Sequence, residues 1–142
     1  MKENMTRASI IRKTAICLLS LILVLPLFGC GGGGMGLPGW ADKEQLTQQA
    51  REVIELVNAR EFDEVAGMFP SGVLTGEQLE ASLSDLLDGF GAFKSFGAHR
   101  LETVIENGVV YVRVLQVVNY QNQSVTYRVI FEEGGILSGF WL

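Results

Sequence analysis

The sequence predicts an α+β domain in which three helices precede a four-stranded antiparallel sheet. Between residues 42 and 90, apolar side chains recur every three or four positions, which is the period of an amphipathic helix. From residue 93 onward the alternation shortens to two positions, which is typical of strands. Helices followed by strands favour a fold in which the helices lie across one face of a curved sheet.

Capping residues and apolar stripes predict the helices. Asp42 begins the first helix, because its carboxylate can accept hydrogen bonds from the N–H groups of the first turn. A second, short helix spans residues 61–69 and is ended by Pro70. The third helix begins with a capping box formed by Thr75 and Gln78. The predicted buried stripes of the first and third helices are Leu46, Ala50, Val53, Ile54 and Val57, and Leu79, Leu83, Leu86, Leu87 and Phe90.

Turn residues divide the remaining sequence into four strands. Asn107 and Gly108 lie between two runs rich in β-branched residues and fit a type I′ hairpin turn, whose two central residues need positive φ angles. A looser turn at residues 121–123 and a pair of glycines at 134 and 135 mark the next two connections. The predicted strands, paired as a meander, are residues 96–106, 109–119, 125–132 and 136–142.

The first 29 residues have the composition of an export signal. Four basic residues lie at or before Lys13, and residues 15–28 carry no charge. This apolar run is shorter than the roughly 20 residues that a bilayer-spanning helix needs. Residues 31–39 are mostly glycine and too poor in side chains to pack a core, so they are predicted to form a flexible tether.

Residues 27–30, Leu-Phe-Gly-Cys, resemble the lipobox of bacterial lipoproteins. The resemblance implies cleavage between Gly29 and Cys30 and attachment of diacylglycerol, with fatty-acyl chains such as palmitate, to the Cys30 thiol. Phe28 departs from the lipobox pattern, which prefers a small or modest side chain at that position. An uncleaved anchor helix and an ordinary secretory signal are the alternatives.

The chain is therefore expected to have three parts. These are a lipoprotein signal peptide at residues 1–29, a lipidated cysteine with its tether at 30–41, and one folded domain at 42–142. The lipid anchor implies that the domain lies at the extracytoplasmic face of the cell membrane.

Composition excludes several classes of partner and site for this domain. The chain carries 11 Lys and Arg against 16 Asp and Glu, and the export segment holds four of the basic but only one of the acidic residues. The remainder is strongly acidic and repels phosphate backbones, so no nucleic-acid partner is expected. Both cysteines, Cys17 and Cys30, precede the domain, so no disulfide is expected, and the single histidine, His99, argues against a zinc site.

Several short motifs in the predicted domain resemble the DUF3887 group of bacterial domains. These are residues 59–65 (AREFDEV), residues 91–96 (GAFKSF), and residues 133–136 (EGGI) followed by Gly139 and Phe140. The resemblance covers nearly all of the domain and extends to the NTF2-like, or cystatin-like, fold. It implies helices and a bent sheet that enclose a conical pocket, which some relatives use for catalysis and many use only for binding or association.

Few side chains offer chemistry to such a pocket. The candidate pocket-lining residues are Asp85, His99, Tyr111, Arg113 and Tyr127. Asp85 and Asp88 lie beside the apolar stripe of the third helix, where charged residues usually form a solvated face. Arg113 either lies at the mouth of a cavity or pairs with a carboxylate. The sequence has no nucleophile elbow, phosphate-binding loop or metal-ligand spacing, so no catalytic residue, cofactor or metal is predicted.

The second predicted strand is apolar on both sides. One side carries Val110, Val112, Val114 and Val118, and the other carries Val109, Tyr111, Leu115 and Val117. Helices cover only one face of the sheet, so the other face needs a second cover. Because NTF2-like domains often dimerise through this outer face, the resemblance implies a homodimer. The first functional hypothesis is therefore a membrane-anchored binding or protein-interaction module.

Two other functions fit the same sequence. Fold analogy leaves open a pocket enzyme of hydrolase, isomerase or dehydratase type that acts on a small apolar ligand, provided that the candidate polar groups converge in a deep cavity. The third hypothesis is a structural spacer of the cell envelope without a small ligand, which a filled space between helices and sheet would favour.

Overall fold

In the computed structural model, which describes residues 35–142, three helices are followed by a four-stranded antiparallel sheet. The elements are α1 (Lys43–Ala59), α2 (Phe62–Gly67), α3 (Gly76–Phe90), β1 (Phe93–Glu106), β2 (Val109–Tyr120), β3 (Ser124–Glu132) and β4 (Ile136–Trp141). The predicted α+β class is confirmed. The predicted signal peptide, its cleavage at Gly29 and the lipidation of Cys30 lie outside the described residues. No helix within residues 35–142 is long and apolar enough to cross a membrane.

Local signals set the ends of α1. The Asp42 carboxylate accepts a hydrogen bond from the Gln45 N–H at 2.7 Å and so satisfies one of the free donors of the first turn. The helix ends at Arg60, which adopts a left-handed conformation with φ of 64°. All five residues of the predicted stripe are buried, and the prediction for α1 is confirmed.

The prediction for α3 is confirmed except at one leucine. Thr75 and Gln78 form the predicted capping box, and four of the five stripe residues are buried. Leu86 is 46% exposed, so its place in the stripe was predicted wrongly. It lies at the margin of the stripe, and α2, against which α3 mainly packs, is only six residues long and cannot cover the whole length of α3.

The sheet is the predicted meander, with strands in the order β1, β2, β3, β4 and every neighbouring pair antiparallel. Asn107 and Gly108 have φ angles of 51° and 81°, as the predicted hairpin turn requires. Strand β1 begins at Phe93, three residues before the predicted start. Its pairing with β2 is irregular between Phe93 and Ser95 and again between Phe96 and His99.

The core lies between α1 and the inner face of the sheet. The inner residues of β2 are Val112, Val114, Gln116, Val118 and Tyr120, and all are buried. Helix α1 packs against β1, β2 and β3, and α2 packs against α1 and α3. Residues Gly34–Leu142 form one compact unit, and this core lies entirely within it.

Candidate functional site

The structure does not gather the five candidate pocket-lining residues at one site, although two of them, Tyr111 and Arg113, line the same depression. Tyr127 is fully buried in the core, whereas Asp85 is exposed on α3. His99 is exposed on β1, where it pairs with Gln116 on the inner face of the sheet. Tyr111 and Arg113 lie on the outer face, because they alternate with the buried residues of β2. The structure therefore does not bring these side chains together in one pocket.

Tyr127 belongs to a buried hydrogen-bonded network. Its hydroxyl lies 2.5 Å from the Tyr120 hydroxyl, and Tyr120 donates a hydrogen bond to Oδ1 of Asn58 at 2.8 Å. Burial raises the pKa of both tyrosines above the ordinary value, and for Tyr127 the contact with Tyr120 raises the pKa further. These hydroxyls thus stay protonated and connect α1 to β2 and β3 inside the core.

Arg113 pairs with a carboxylate on the outer face. Its Nη1 atom lies 3.5 Å from a carboxylate oxygen of Glu102, whose other oxygen lies 2.8 Å from Arg100. A depression of about 180 Å³ beside Arg113 is lined by Tyr111, Ile130, Trp141 and their neighbours on the outer face. This volume is below the usual range of small-molecule sites, so the depression is treated as part of an extended surface.

A larger groove lies between the start of α1 and β1. It has a volume of about 570 Å³ and is lined by Asp42, Lys43, Glu44, Thr47, Gln48, Arg51 and His99. A second groove of about 490 Å³ adjoins it and shares the side chains of Gln48 and Arg51. We call the first of these the Arg51 groove. It contains three basic side chains, Lys43, Arg51 and His99, in a domain that is acidic as a whole.

A fully buried glutamine holds Arg51 in place. The Gln116 carbonyl accepts a hydrogen bond from Arg51 Nε at 3.0 Å. The Gln116 amide donates to the backbone carbonyls of Gly97 at 3.0 Å and Val117 at 2.8 Å, and lies 3.4 Å from that of Ala98. The Arg51 guanidinium carbon lies 5.1 Å from the centre of the Phe96 ring, within range of a cation–π interaction.

Comparison with known proteins identifies the family of this domain. The family model described as "Protein of unknown function (DUF3887)" matches residues 50–140, more than half of the chain. The chain belongs to the DUF3887 family. The predicted resemblance to this group is therefore confirmed.

A solved relative has the same extent as this DUF3887 domain. It is a protein from Ruminococcus gnavus ATCC 29149 whose structure was determined by NMR, with 28% sequence identity and a TM-score of 0.66. The match covers 77% of this chain and 97% of that chain, so the relative consists of little more than one such domain. Comparison with curated proteins finds no match.

Sequence reasoning missed the two residues that organise the Arg51 groove. Gln116 lies at an inward position of β2 between Val114 and Val118, and this polar interruption of an apolar stripe was the available signal. Arg51 gave no such signal, because its partner Gln116 is 65 residues away in the sequence. Within the described part of the DUF3887 domain, no three His, Cys, Asp or Glu side chains are grouped so as to hold a metal ion.

Proposed function

We propose that this protein is an exported lipoprotein whose DUF3887 domain acts as a homodimeric interaction module at the extracytoplasmic face of the membrane. The observation that carries the proposal is the apolar outer face of the sheet. Val109, Ile136 and Trp141 lie there with exposed fractions of 43%, 47% and 53%. Helix α1 covers only the opposite face. Exposed apolar side chains grouped on one face are typical of an association surface.

The charges of the outer face favour a second copy of the chain as the occupant. Arg100 and Arg128 flank Leu115 toward one end of the face. Toward the other end, Glu106 pairs with Val109 and Glu132 pairs with Ile136. When two copies stack with their strands antiparallel, the arginine end of each meets the glutamate end of the other. Parallel stacking instead brings like charges together, which is unfavourable. A symmetric dimer needs this kind of self-complementary surface.

A test of the dimer uses the soluble fragment of residues 34–142. We expect sedimentation equilibrium to give a dimer at protein concentrations of about tens of micromolar. Leu115→Asp places a charge among the side chains of the outer face and should give a monomer. Thr126→Ser, a mild change on the same face, is the control and should remain dimeric.

Charge exchange tests the antiparallel arrangement. Arg128→Glu and Glu132→Arg should each weaken the dimer, since each puts like charges in contact, by about tenfold in dissociation constant. The double variant restores opposite charges and should recover most of the affinity. A monomeric fragment at these concentrations would refute the dimer, and a double variant no better than the single variants would refute the arrangement.

The lipid anchor is proposed from the lipobox-like residues around Cys30. In a bacterial host fed labelled palmitate, the full chain should carry the label and sediment with the membranes, and Cys30→Ala should abolish the labelling. Cys17→Ala is the matched control, because it removes the other cysteine and leaves the lipobox intact. Mass spectrometry that finds an unmodified Cys30, or an intact Met1 terminus, would contradict the proposal.

The NTF2-like assignment is also part of the proposal. Three helices that precede an antiparallel meander support it, as does the inner face of the sheet packed against α1. The alternative of a pocket enzyme required its polar candidates to converge, and they lie apart, with Tyr127 in the core and Tyr111 on the opposite face. The separation of these side chains favours an interaction module over an enzyme.

A further inference from the structure

We propose that the Arg51 groove binds a small organic carboxylate through the guanidinium group of Arg51. This site is independent of the proposed dimer, because Gln116 and His99 belong to the inner face of the sheet and the dimer surface is the outer face. It is also independent of the lipid anchor. The argument depends on the orientation of Arg51, on its unused donors, and on the space in front of them.

The orientation of Arg51 is fixed before any ligand arrives. A polar side chain buried as completely as Gln116 is unfavourable unless its hydrogen bonds are made, and here both its carbonyl and its amide are used. The carbonyl holds Nε of Arg51, and Phe96 lies under the guanidinium carbon. Because the hydrogen bond to Gln116 and the contact with the Phe96 ring already hold the guanidinium, it loses little conformational entropy when a ligand binds.

The remaining donors of Arg51 have no partner among the residues that the structure describes. Among the hydrogen bonds and ion pairs of residues 35–142, none involves the Nη atoms of Arg51. Glu55, one helical turn away, is well spaced for an ion pair but forms none with Arg51, whose side chain turns toward the sheet. The planar edge of a guanidinium matches the two oxygens of a carboxylate, and such paired hydrogen bonds are among the strongest in proteins.

The space in front of Arg51 suits a small molecule with one negative group. At about 570 Å³ the groove is in the range of small-molecule sites. His99 and Lys43 line the same groove and can pair with a second polar group of the ligand. Asp42 and Glu44 also line the groove, and the Asp42 carboxylate accepts a hydrogen bond from the Gln45 N–H. Carboxylates at this position disfavour ligands with several negative charges.

The test titrates the folded fragment 34–142 with three probes: sodium benzoate, sodium acetate and inorganic phosphate. Benzyl alcohol, which has the ring of benzoate without its charge, is the uncharged control. The readout is NMR, because the signals of the Arg51 Nε–H and the Gln116 side-chain amide report on the site itself. We expect saturable shifts of both signals with benzoate and acetate and no shift with benzyl alcohol.

Matched variants separate this site from general electrostatics. Arg51→Lys keeps the charge but loses the planar edge, and it should weaken benzoate binding about tenfold. Arg60→Gln removes the arginine that follows α1 and already pairs with Asp88, and it should leave binding unchanged. His99→Gln changes an exposed side chain of the groove and should weaken binding by a few fold. It provides a second test of the site in case the Arg51 variant does not fold.

Each remaining outcome overturns the proposal. If neither carboxylate gives a saturable shift, the groove is not a carboxylate site. If phosphate shifts the two signals and the carboxylates do not, the ligand class is wrong. If Arg51→Lys, shown to be folded by its NMR spectrum, binds benzoate as the wild type does, Arg51 is not the binding residue.

Discussion

Replacement of Phe131 by alanine should lower the free energy of unfolding by about 3–5 kcal/mol, the usual cost of a cavity left by a buried aromatic ring. Phe131 is only 1% exposed and lies on the inner face of β3, paired with Val112 of β2 and Leu137 of β4. The ring therefore connects three strands in the core. In a domain of this size each kcal/mol corresponds to roughly 4–8 °C in Tm, so the loss should be large in a thermal scan.

Urea denaturation of the fragment 34–142 measures this effect. Phe93→Ala is the matched control, because Phe93 is also in the sheet but is 40% exposed. Phe93→Ala should lower the free energy of unfolding by less than half as much as Phe131→Ala, although it removes the contacts of the Phe93 ring with Phe96 and Tyr120. Equal losses for the two variants would mean that the core is not centred where the structure places it.

Alkaline pH should destabilise the fold through the buried tyrosine pair. Tyr127 and Tyr120 have pKa values raised by burial in the folded state, whereas in the unfolded chain a tyrosine titrates near its ordinary value of about 10. Below pH 10 both states hold the protons, and the full stability is present. Above pH 10 the unfolded chain releases protons that the folded state keeps, so stability falls by up to about 1.4 kcal/mol per pH unit for each buried tyrosine.

The matched variant is Tyr127→Phe. At neutral pH it should cost about 1 kcal/mol, because it removes one buried hydroxyl while Tyr120 still donates to Asn58. Between pH 10 and pH 11 its stability should fall less steeply than that of the wild type, since one of the two shifted groups is gone. Identical pH profiles in urea denaturation for the two proteins would show that Tyr127 does not titrate as the geometry predicts.

Local signals were enough to predict the order and most bounds of the elements. Asp42 and Thr75 predicted the helix starts because a cap acts on the N–H groups of its own first turn. Asn107 and Gly108 predicted the hairpin because its positive φ angles are a property of two adjacent residues. Such features depend on neighbours in the sequence and can be found without knowledge of the packing.

The candidate site could not be predicted in the same way. The pairing of Arg51 with Gln116 depends on how α1 crosses the sheet, and the place of His99 depends on the irregularity between Phe96 and His99 in β1. Tyr127 and Tyr111 looked equivalent in the sequence, because alternation assigns residues to two sides without saying which side α1 covers. Only the packing distinguishes a core tyrosine from a surface tyrosine.

The two outermost strands limit how copies of this domain can polymerise. Strand β1 has irregular pairing between Phe93 and Ser95 and between Phe96 and His99, and β4 is only six residues long. Unpaired strand edges invite the addition of further chains, and natural sheets obstruct this with bulges, short strands and charged side chains. Open-ended fibre growth along the hydrogen-bonding direction is thereby disfavoured. Even at high local concentration, many copies would then remain discrete particles and would not join into filaments.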